Sequence, residues 1–414
     1  MLCPLHISVT VSDWHRDIDG QTLAGVKLVQ ALATLVNRLL VTGRIGRFVL
    51  DDFIDIAALF EKALHEAFRE RGHVNVLIAG RTGVGKSTLI NAVFQGQFAS
   101  TGHGKPVTQE TEEITKEGIP LSIFDTRGLE LADYKTILDD LRGFVSKRAK
   151  ESDATKHIHI GWVCISEDLR RVESAEIKLT EMLAEFMPVV GIITKARADR
   201  NLEFQSEVER LLPKARKIVR VRSIREVFDD GHIIEQMGLL ELVGVTMGLI
   251  PEGARRAFVA AEKVDIGLKK TQSRMIVAAA ATSAAGIAVS PIPFSDWTLI
   301  VPIQVGMIAG ITATFGLSLR TAAIFSLVGS AITGTAATLA GRTIVSGLLK
   351  LVPGVGTALG GTISATTAAA LTKAFGETYI ATLELLFTKN NGEPPSEADI
   401  LDTFWKLYTQ RSNA

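Results

Sequence analysis

Between residue 73 and about residue 250 the chain alternates two hydrophobic rhythms. Short, nearly continuous apolar runs ("HVNVLIAG", "IPLSIFDTRG", "HIHIGWVCIS", "MPVVGIITKA" and "KIVRVRS") have the length and β-branched content of buried strands. Stretches of helical period lie between them: "KSTLINAVFQG", closed by Gly96, the segment Glu173–Glu185, and a charged helix ahead of "KIVRVRS". Strands apolar on both faces and separated by helices predict an α/β fold with a mostly parallel sheet covered on both sides. Ahead of this zone, residues 1 to about 71 carry two amphipathic stretches, Leu23–Leu40 and Phe48–Arg69. In the second, Phe53, Ile56, Ala57, Phe60, Leu64 and Phe68 recur at helical spacing, which predicts a helical lead-in packed on the next domain.

The texture changes at Pro251. Arg255–Lys270 is charged and helical in period, and four uncharged windows rich in Ala, Gly, Ser and Thr follow: Met275–Ser295, Trp297–Leu319, Thr321–Gly341 and Leu351–Thr372. A polar stretch, "NNGEPPSEADI", starts a last helix at about Ser396. The expected organisation is therefore an N-terminal helical segment over 1–71, an α/β domain over 72–250 and an all-α domain over 251–414. The windows are long enough to cross a bilayer. However, Pro291, Pro293 and Asp296 interrupt the first region, and Pro353 with four glycines by Gly361 opens the last, so Trp297–Leu319 and Thr321–Gly341 are the two that resemble spans. Asp296, amid apolar residues, reads as a helix N-cap or turn acid rather than an intramembrane charge. Gly306-x-x-x-Gly310 and Gly356-x-x-x-Gly360 allow close helix approach in lipid or in a water-soluble bundle. A packed helical domain and membrane-inserting or membrane-binding hairpins both fit this pattern.

Composition narrows the classes. The 414 residues are 47% hydrophobic and 22% charged, which excludes a disordered chain. A formal net charge of zero gives no sign of a nucleic-acid partner. Two cysteines, Cys3 and Cys164, make neither a disulfide framework nor a metal-ligand spacing, so a reducing cytoplasm is expected. Asp13, Asp17 and Asp19 come too early for a signal peptide. A mean hydropathy of +0.25 is high, and the excess lies in the C-terminal third.

The chemistry enters where the first strand meets the first helix. Gly80-Arg81-Thr82-Gly83-Val84-Gly85-Lys86-Ser87, followed by Thr88, fits G-x-x-x-x-G-K-[ST]. Glycines let the backbone wrap until several N–H groups point at one anion. Lys86 is placed to bridge β- and γ-phosphates and Ser87 to ligate Mg²⁺, with the helix from Lys86 adding its positive end.

The stretch "GRTGVGKSTLIN" resembles the first motif of the Era/septin-like translation-factor class of P-loop GTPases, and "FDTRGLE" resembles that class's D-x-x-G motif at Asp125 and Gly128. The resemblance implies a G domain that binds GTP and Mg²⁺ and hydrolyses GTP. Asp125, ending an apolar strand, would orient the metal, and the Gly128 N–H would sense the γ-phosphate. Thr108, in "KPVTQET", would be the switch threonine that closes over Mg²⁺, with Thr101 and Thr111 as competitors, whereas His103 reads as a surface loop histidine. The base-reading motif departs from the class: Thr194-Lys195-Ala196-Arg197 carries Arg where the class has Asp, and Asp199 lies two residues on. GTP stays the expected nucleotide over ATP, with Thr194, Lys195, Asp199 and Ser223 as base-side residues and Arg222 beside them. Leu129 stands where Ras-like proteins place a Gln. Turnover is then expected to be slow unless a partner, a second copy, or Arg81 or Arg127 in cis supplies charge; both arginines read equally well as surface residues.

The order strand, Arg-x-x-x-x-Glu, helix in "WVCISEDLRRVESAEIKLTEML" resembles the septin, plastid-import and immunity-related branches, whose members work at membranes. "SPIPFSDWTLIVPIQVGMIAGITATFGLSL", "LVPGVGTALGG" and "TKAFGETYI" resemble an uncharacterised helical domain that follows G domains in many bacterial proteins, marked by its Pro-x-Pro-x-x-Asp, Gln-x-x-Met and Phe-Gly elements. Together these imply a Mg²⁺-dependent GTPase switch whose helical domain acts at the cytoplasmic face of a membrane, or else in the cytoplasm. Guanine nucleotide, membrane lipid and a nucleotide-dependent homodimer are its implied partners. Two alternatives stay open: a nucleotide-held interaction module with incidental turnover, and a pore-forming effector under G-domain control.

Overall fold

The run Val74–Ala79 is buried at every position, as a strand covered on both faces must be. In the computed structural model of the chain, which describes residues 62–63, 65–96, 103–106, 111–126, 134–197, 199–288, 296–317 and 365–413, this run is β1, the centre of a seven-stranded sheet. In chain order the strands are β1 (Val74–Ala79), β2 (His103–Pro106), β3 (Thr111–Thr115), β4 (Leu121–Thr126), β5 (Ile160–Ser166), β6 (Val189–Thr194) and β7 (Lys217–Arg220). Their spatial order is β2-β3-β4-β1-β5-β6-β7. Pairings β4–β1, β1–β5, β5–β6 and β6–β7 are parallel, and the β2–β3–β4 edge is antiparallel. The expected α/β fold with a mostly parallel sheet is present. Because β1, β4, β5 and β6 run the same way, their C-terminal ends share one edge of the sheet, and β1 sits where the chain order reverses to either side. Open α/β sheets bind ligands at such an edge and switch point.

Helices cover the faces. They are α1 (Lys86–Val93), α2 (Tyr134–Ala149), α3 (Ser174–Leu183), α4 (Glu203–Leu211), α5 (Leu239–Leu249) and α6 (Glu252–Ala261). One core joins β1, β5 and β6 to α1, α5 and α6. In it Phe94 stacks on Trp162 at 5.6 Å and meets Phe258 edge-on at 5.9 Å. Two polar groups inside this core find partners. Asn75 donates to the carbonyls of Thr155 (2.8 Å) and His157 (2.6 Å), and the Trp162 indole donates to Thr246 (3.3 Å). A short hairpin, β8 (Glu226–Val227) with β9 (Ile233–Ile234), projects after β7.

The C-terminal helices are α7 (Ile266–Ala288), α8 (Asp296–Thr314), α9 (Ala365–Lys389) and α10 (Glu397–Asn413). The charged stretch Arg255–Lys270, expected as one helix, is two. Glu262 leaves the helical path, its carboxylate accepts from the Val264 and Asp265 amides, and Asp265 then accepts from the Leu268 amide to start α7. Ser396 caps α10 by accepting from the Asp399 amide, as the sequence suggested. The helices pack on aromatic and polar contacts: Phe375, Tyr379, Phe404 and Tyr408 cluster, Thr312 bonds Tyr379 at 2.9 Å, and Lys270 pairs with Glu384 at 2.5 Å. Among the described residues no helix is long and apolar enough to cross a membrane, so Trp297–Leu319, expected to resemble a span, forms an α8 that ends at Thr314. Most of the N-terminal amphipathic stretches, Pro291, Pro293, the window Thr321–Gly341 and the Gly356–Gly360 pair lie outside the described residues.

The end of α1 is tied to this helical region. Gln95 donates through one amide nitrogen to the carbonyls of Ala260 (3.0 Å), Glu262 (3.1 Å) and Phe315 (3.2 Å), in full burial. The Gly96 N–H donates to Glu393 at 2.8 Å, and Lys263 pairs with the same carboxylate at 2.6 Å. Gly316, with φ of 74°, lies so close to the Ala260 carbonyl that any Cβ would collide with it. Gln95→Ala should therefore leave three buried carbonyls without this donor. We expect it to cost about 2 kcal/mol of stability, read as a lower denaturant midpoint.

Candidate functional site

The loop after β1 must turn sharply, and its glycines permit it. Gly80, Gly83 and Gly85 have φ of 149°, 76° and 100°. A Cβ on Gly80 would lie 2.5 Å from the Cys164 carbonyl oxygen of β5, so the loop runs hard against the sheet. Gly85 is the N-cap of α1 and no side chain caps that helix. Its first amides thus face the loop's mouth together with its positive end. Lys86 is buried and its ammonium donates to the carbonyls of Gly80 (2.8 Å) and Arg81 (3.3 Å), which curls it over the loop. Its Nζ lies 4.0 Å from Asp125 Oδ1 at the end of β4. Thr82, Gly83, Ser87 and Thr88 are exposed at the mouth, and Val84 is buried beneath it. Ser87 and Asp125 thus come from the two elements that a hydroxyl-plus-carboxylate Mg²⁺ site requires. Among the described residues no group of three or more His, Cys, Asp or Glu could hold a metal alone. This donor set fits Mg²⁺ bound partly through phosphate oxygens.

Thr194, at the end of β6, donates its hydroxyl to the Val84 carbonyl (2.5 Å) and the Ile165 carbonyl (3.2 Å), which locks the phosphate loop to β5 and β6. Lys195 follows with φ of 55°, a left-handed conformation that costs a non-glycine residue roughly 1 kcal/mol. A pocket of about 230 Å³ opens beside α1, lined by Gly85, Thr88, Thr194, Lys195 and Ser223 together with Asp168, Arg197 and Glu226. The structure thus brings Thr194, Lys195 and Ser223 to one place beside the loop. Arg222 is held underneath, donating to the Ala196 carbonyl at 2.9 Å.

Other sequence candidates lie elsewhere. Asp199 was expected on the base side, but its carboxylate is fully covered and accepts from the Phe204 amide (3.0 Å), the Gln205 amide (2.9 Å) and Arg170 (3.2 Å). It caps the start of α4 and does not line the pocket. Burial alone would raise its pKa, but these three donors outweigh burial and hold the carboxyl below its usual range. Arg81 points to Glu173 at the start of α3 (3.1 Å). Thr111 is buried in β3 opposite Thr126, so this competitor of Thr108 is part of the sheet. Thr101, Thr108, Arg127, Gly128 and Leu129 lie outside the described residues, and His103 falls in β2. Cys164 is buried against the loop, and burial pushes its thiol up to about 12.

Sequence reasoning missed Asp168, Glu226 and the anchoring role of Thr194. Asp168 lies just past β5, and the rule that ligands gather at strand C-termini was the signal that could have found it. Asp199→Ala should cost about 1–2 kcal/mol through the lost cap, read by denaturant titration, with the ratio of GTP to ATP affinity unchanged. A changed ratio would return Asp199 to the base side.

Comparison with known proteins matches two parts of the chain to families. Residues 75–195 match the 50S ribosome-binding GTPase family, and residues 255–409 match a domain of unknown function, DUF697. The tRNA modification GTPase MnmE of Acidovorax sp. (strain JS42) is 26% identical over 253 residues, covering 49% of this chain and 50% of that protein. GTPase Era of Clostridium kluyveri is 26% identical over 188 residues, covering 44% of this chain and 57% of that protein. Translocase of chloroplast 101 of Physcomitrium patens is 43% identical over 81 residues, 19% of this chain and 9% of that protein. The chain thus spans about half of the bacterial relatives' length and under a tenth of the plastid one. The loop geometry and these matches agree: residues 75–195 resemble a P-loop GTPase domain, and residues 255–409 resemble a helical domain of the DUF697 type.

Proposed function

We propose that the protein binds GTP with Mg²⁺ and hydrolyses it to GDP and phosphate in a switch cycle read by its helical domain. The observation that carries this reading is the Gly80–Thr88 loop, with buried Lys86 4.0 Å from Asp125. Phosphoryl transfer asks a protein mainly for positioning and charge compensation. The loop amides and Lys86 would hold the β- and γ-phosphate oxygens, and Ser87 and Asp125 would hold the metal, joined by Thr108 from the segment ahead of β3. Bound Mg²⁺ would supply charge neutralisation across the same oxygens. Gly128 would sense the γ-phosphate, and Arg127 beside it would offer charge in cis. Arg81 would have to leave Glu173 to do so.

The coupling follows from the chain path. Helix α1 starts on the phosphates and ends at Phe94–Gly96, where Gln95 and the Gly96 amide hold residues 260, 262, 315 and 393. The segment proposed to close over nucleotide begins immediately after. Loss of the γ-phosphate would loosen that segment and shift the contacts at this junction. The apolar windows support placing the helical domain at the cytoplasmic face of a membrane, and nucleotide-dependent pairing of two copies remains part of the proposal. Nucleotide-dependent sedimentation with anionic liposomes is the outcome that membrane placement requires.

The decisive assay is phosphate release from GTP under multiple turnover with Mg²⁺. The wild-type chain should turn over slowly, and Lys86→Ala should lose at least about 100-fold in activity, the scale of removing one preorganised charge. Equal release by both proteins would refute the reading. Tight binding without release would favour the interaction module.

A further inference from the structure

The class reads guanine with an aspartate, yet here Arg197 occupies that position. Guanine presents two adjacent donors on one edge, N1–H and the N2 amine. A pocket that selects it needs an acceptor with open lone pairs, and an arginine has none. Of the carboxylates near this position, Asp199 is fully covered and engaged by two amides and Arg170. Glu167 is buried and takes Arg220 (2.6 Å) and the Arg197 amide (2.8 Å). Neither faces the pocket. Glu226 does, but it is only 17% exposed, and one of its oxygens takes both the Nε and Nη2 of Arg197 at 2.9 Å. That fork draws the guanidinium toward the hairpin.

Asp168 differs from all three. It lines the same pocket as Gly85, Thr88 and Ser223, its side chain is 41% exposed, and its ion pairs to Lys195 and Arg197 are 3.6 Å long, beyond hydrogen-bond range. Its lone pairs are therefore available. It also stands on the short turn directly after β5, a rigid support at the sheet's ligand edge.

Resting on the GTP reading above, we propose that Asp168 is the residue that determines base specificity. Its carboxylate accepts from guanine N1–H and the N2 amine, while Glu226 holds Arg197 aside. Lys195, ion-paired to Asp168 across the pocket, positions that carboxylate and covers the base with its stem. An adenine base presents an acceptor at N1 and would face the carboxylate with like polarity. Selectivity thus follows from a residue on a different strand end from the class's own.

The test is displacement of a fluorescent GDP analogue from the full chain by GTP, ITP, XTP and ATP. ITP lacks only the N2 amine. Wild type should prefer GTP over ITP by about tenfold, the scale of one charge-assisted hydrogen bond. Asp168→Ala should bring the two within about threefold of each other. Asp168→Asn places an amide donor where xanthine carries a carbonyl, and should raise XTP affinity relative to GTP, a gain that mere structural damage would not produce. An unchanged GTP-to-ITP ratio in Asp168→Ala, no wild-type preference over ITP, or a ratio lost only in Glu226→Ala would overturn the proposal and leave the GTPase reading intact. Failure of the wild-type chain to bind the analogue at all would overturn both.

Discussion

The structure depends on how tightly the loop after β1 is held before any nucleotide arrives. The Gly80 backbone lies against the Cys164 carbonyl, Thr194 at the end of β6, two strands away, pins Val84, and Lys86 folds back onto Gly80 and Arg81. Each contact fixes backbone that would otherwise have to be ordered on binding. Ordering costs about 1–2 kcal/mol per residue, so a loop fixed beforehand leaves more of the phosphate interaction to appear as affinity. Three glycines with positive φ let the loop take this path without strain, one buried ammonium is unfavourable in isolation, and the buried strands beneath it hold the arrangement in place.

The same rigidity explains why the helical domain can respond to events at the loop. Helix α1 is a short rod with the phosphate loop at one end and Phe94 at the other, and Phe94 is wedged between Trp162 and Phe258. Beyond it, Gln95 reaches three carbonyls on two different helical segments, and Lys269 is fully buried and donates to the Val259 and Ala260 carbonyls at the end of α6. Burial holds the Lys269 ammonium below its usual range and Glu262 above its own. These buried polar contacts concentrate at the joint between the two families matched in the chain. A joint held by several buried hydrogen bonds has a defined geometry, and displacing it carries a cost.

Much of this was legible in the sequence because the relevant signals are local. A continuous apolar run, a glycine-spaced loop and Lys-Ser at a helix start are set by neighbouring residues, and the strand-ending Asp125 follows from the same logic. The edge hairpin β2–β3 was hidden because its residues are polar and its pairing is antiparallel at a sheet margin, where neither face needs to be apolar. The break at Glu262 was hidden because no Gly or Pro marks it; a side chain replaces the lost backbone bonds. Asp199 misled because proximity along the chain suggested a base contact, whereas the fold turns its carboxylate toward α4. Asp168 is 31 residues from Asp199 in sequence, and only the parallel register of β5 and β6 places it beside Lys195.

Amide hydrogen exchange of the full chain, with and without GTP and Mg²⁺, tests the central claim most directly, because it reads the loop's own N–H groups. The account predicts that exchange slows across residues 82–88 when nucleotide and metal are both present, and that Lys86→Ala abolishes the slowing. Unaltered exchange at those amides in the presence of saturating nucleotide would contradict it.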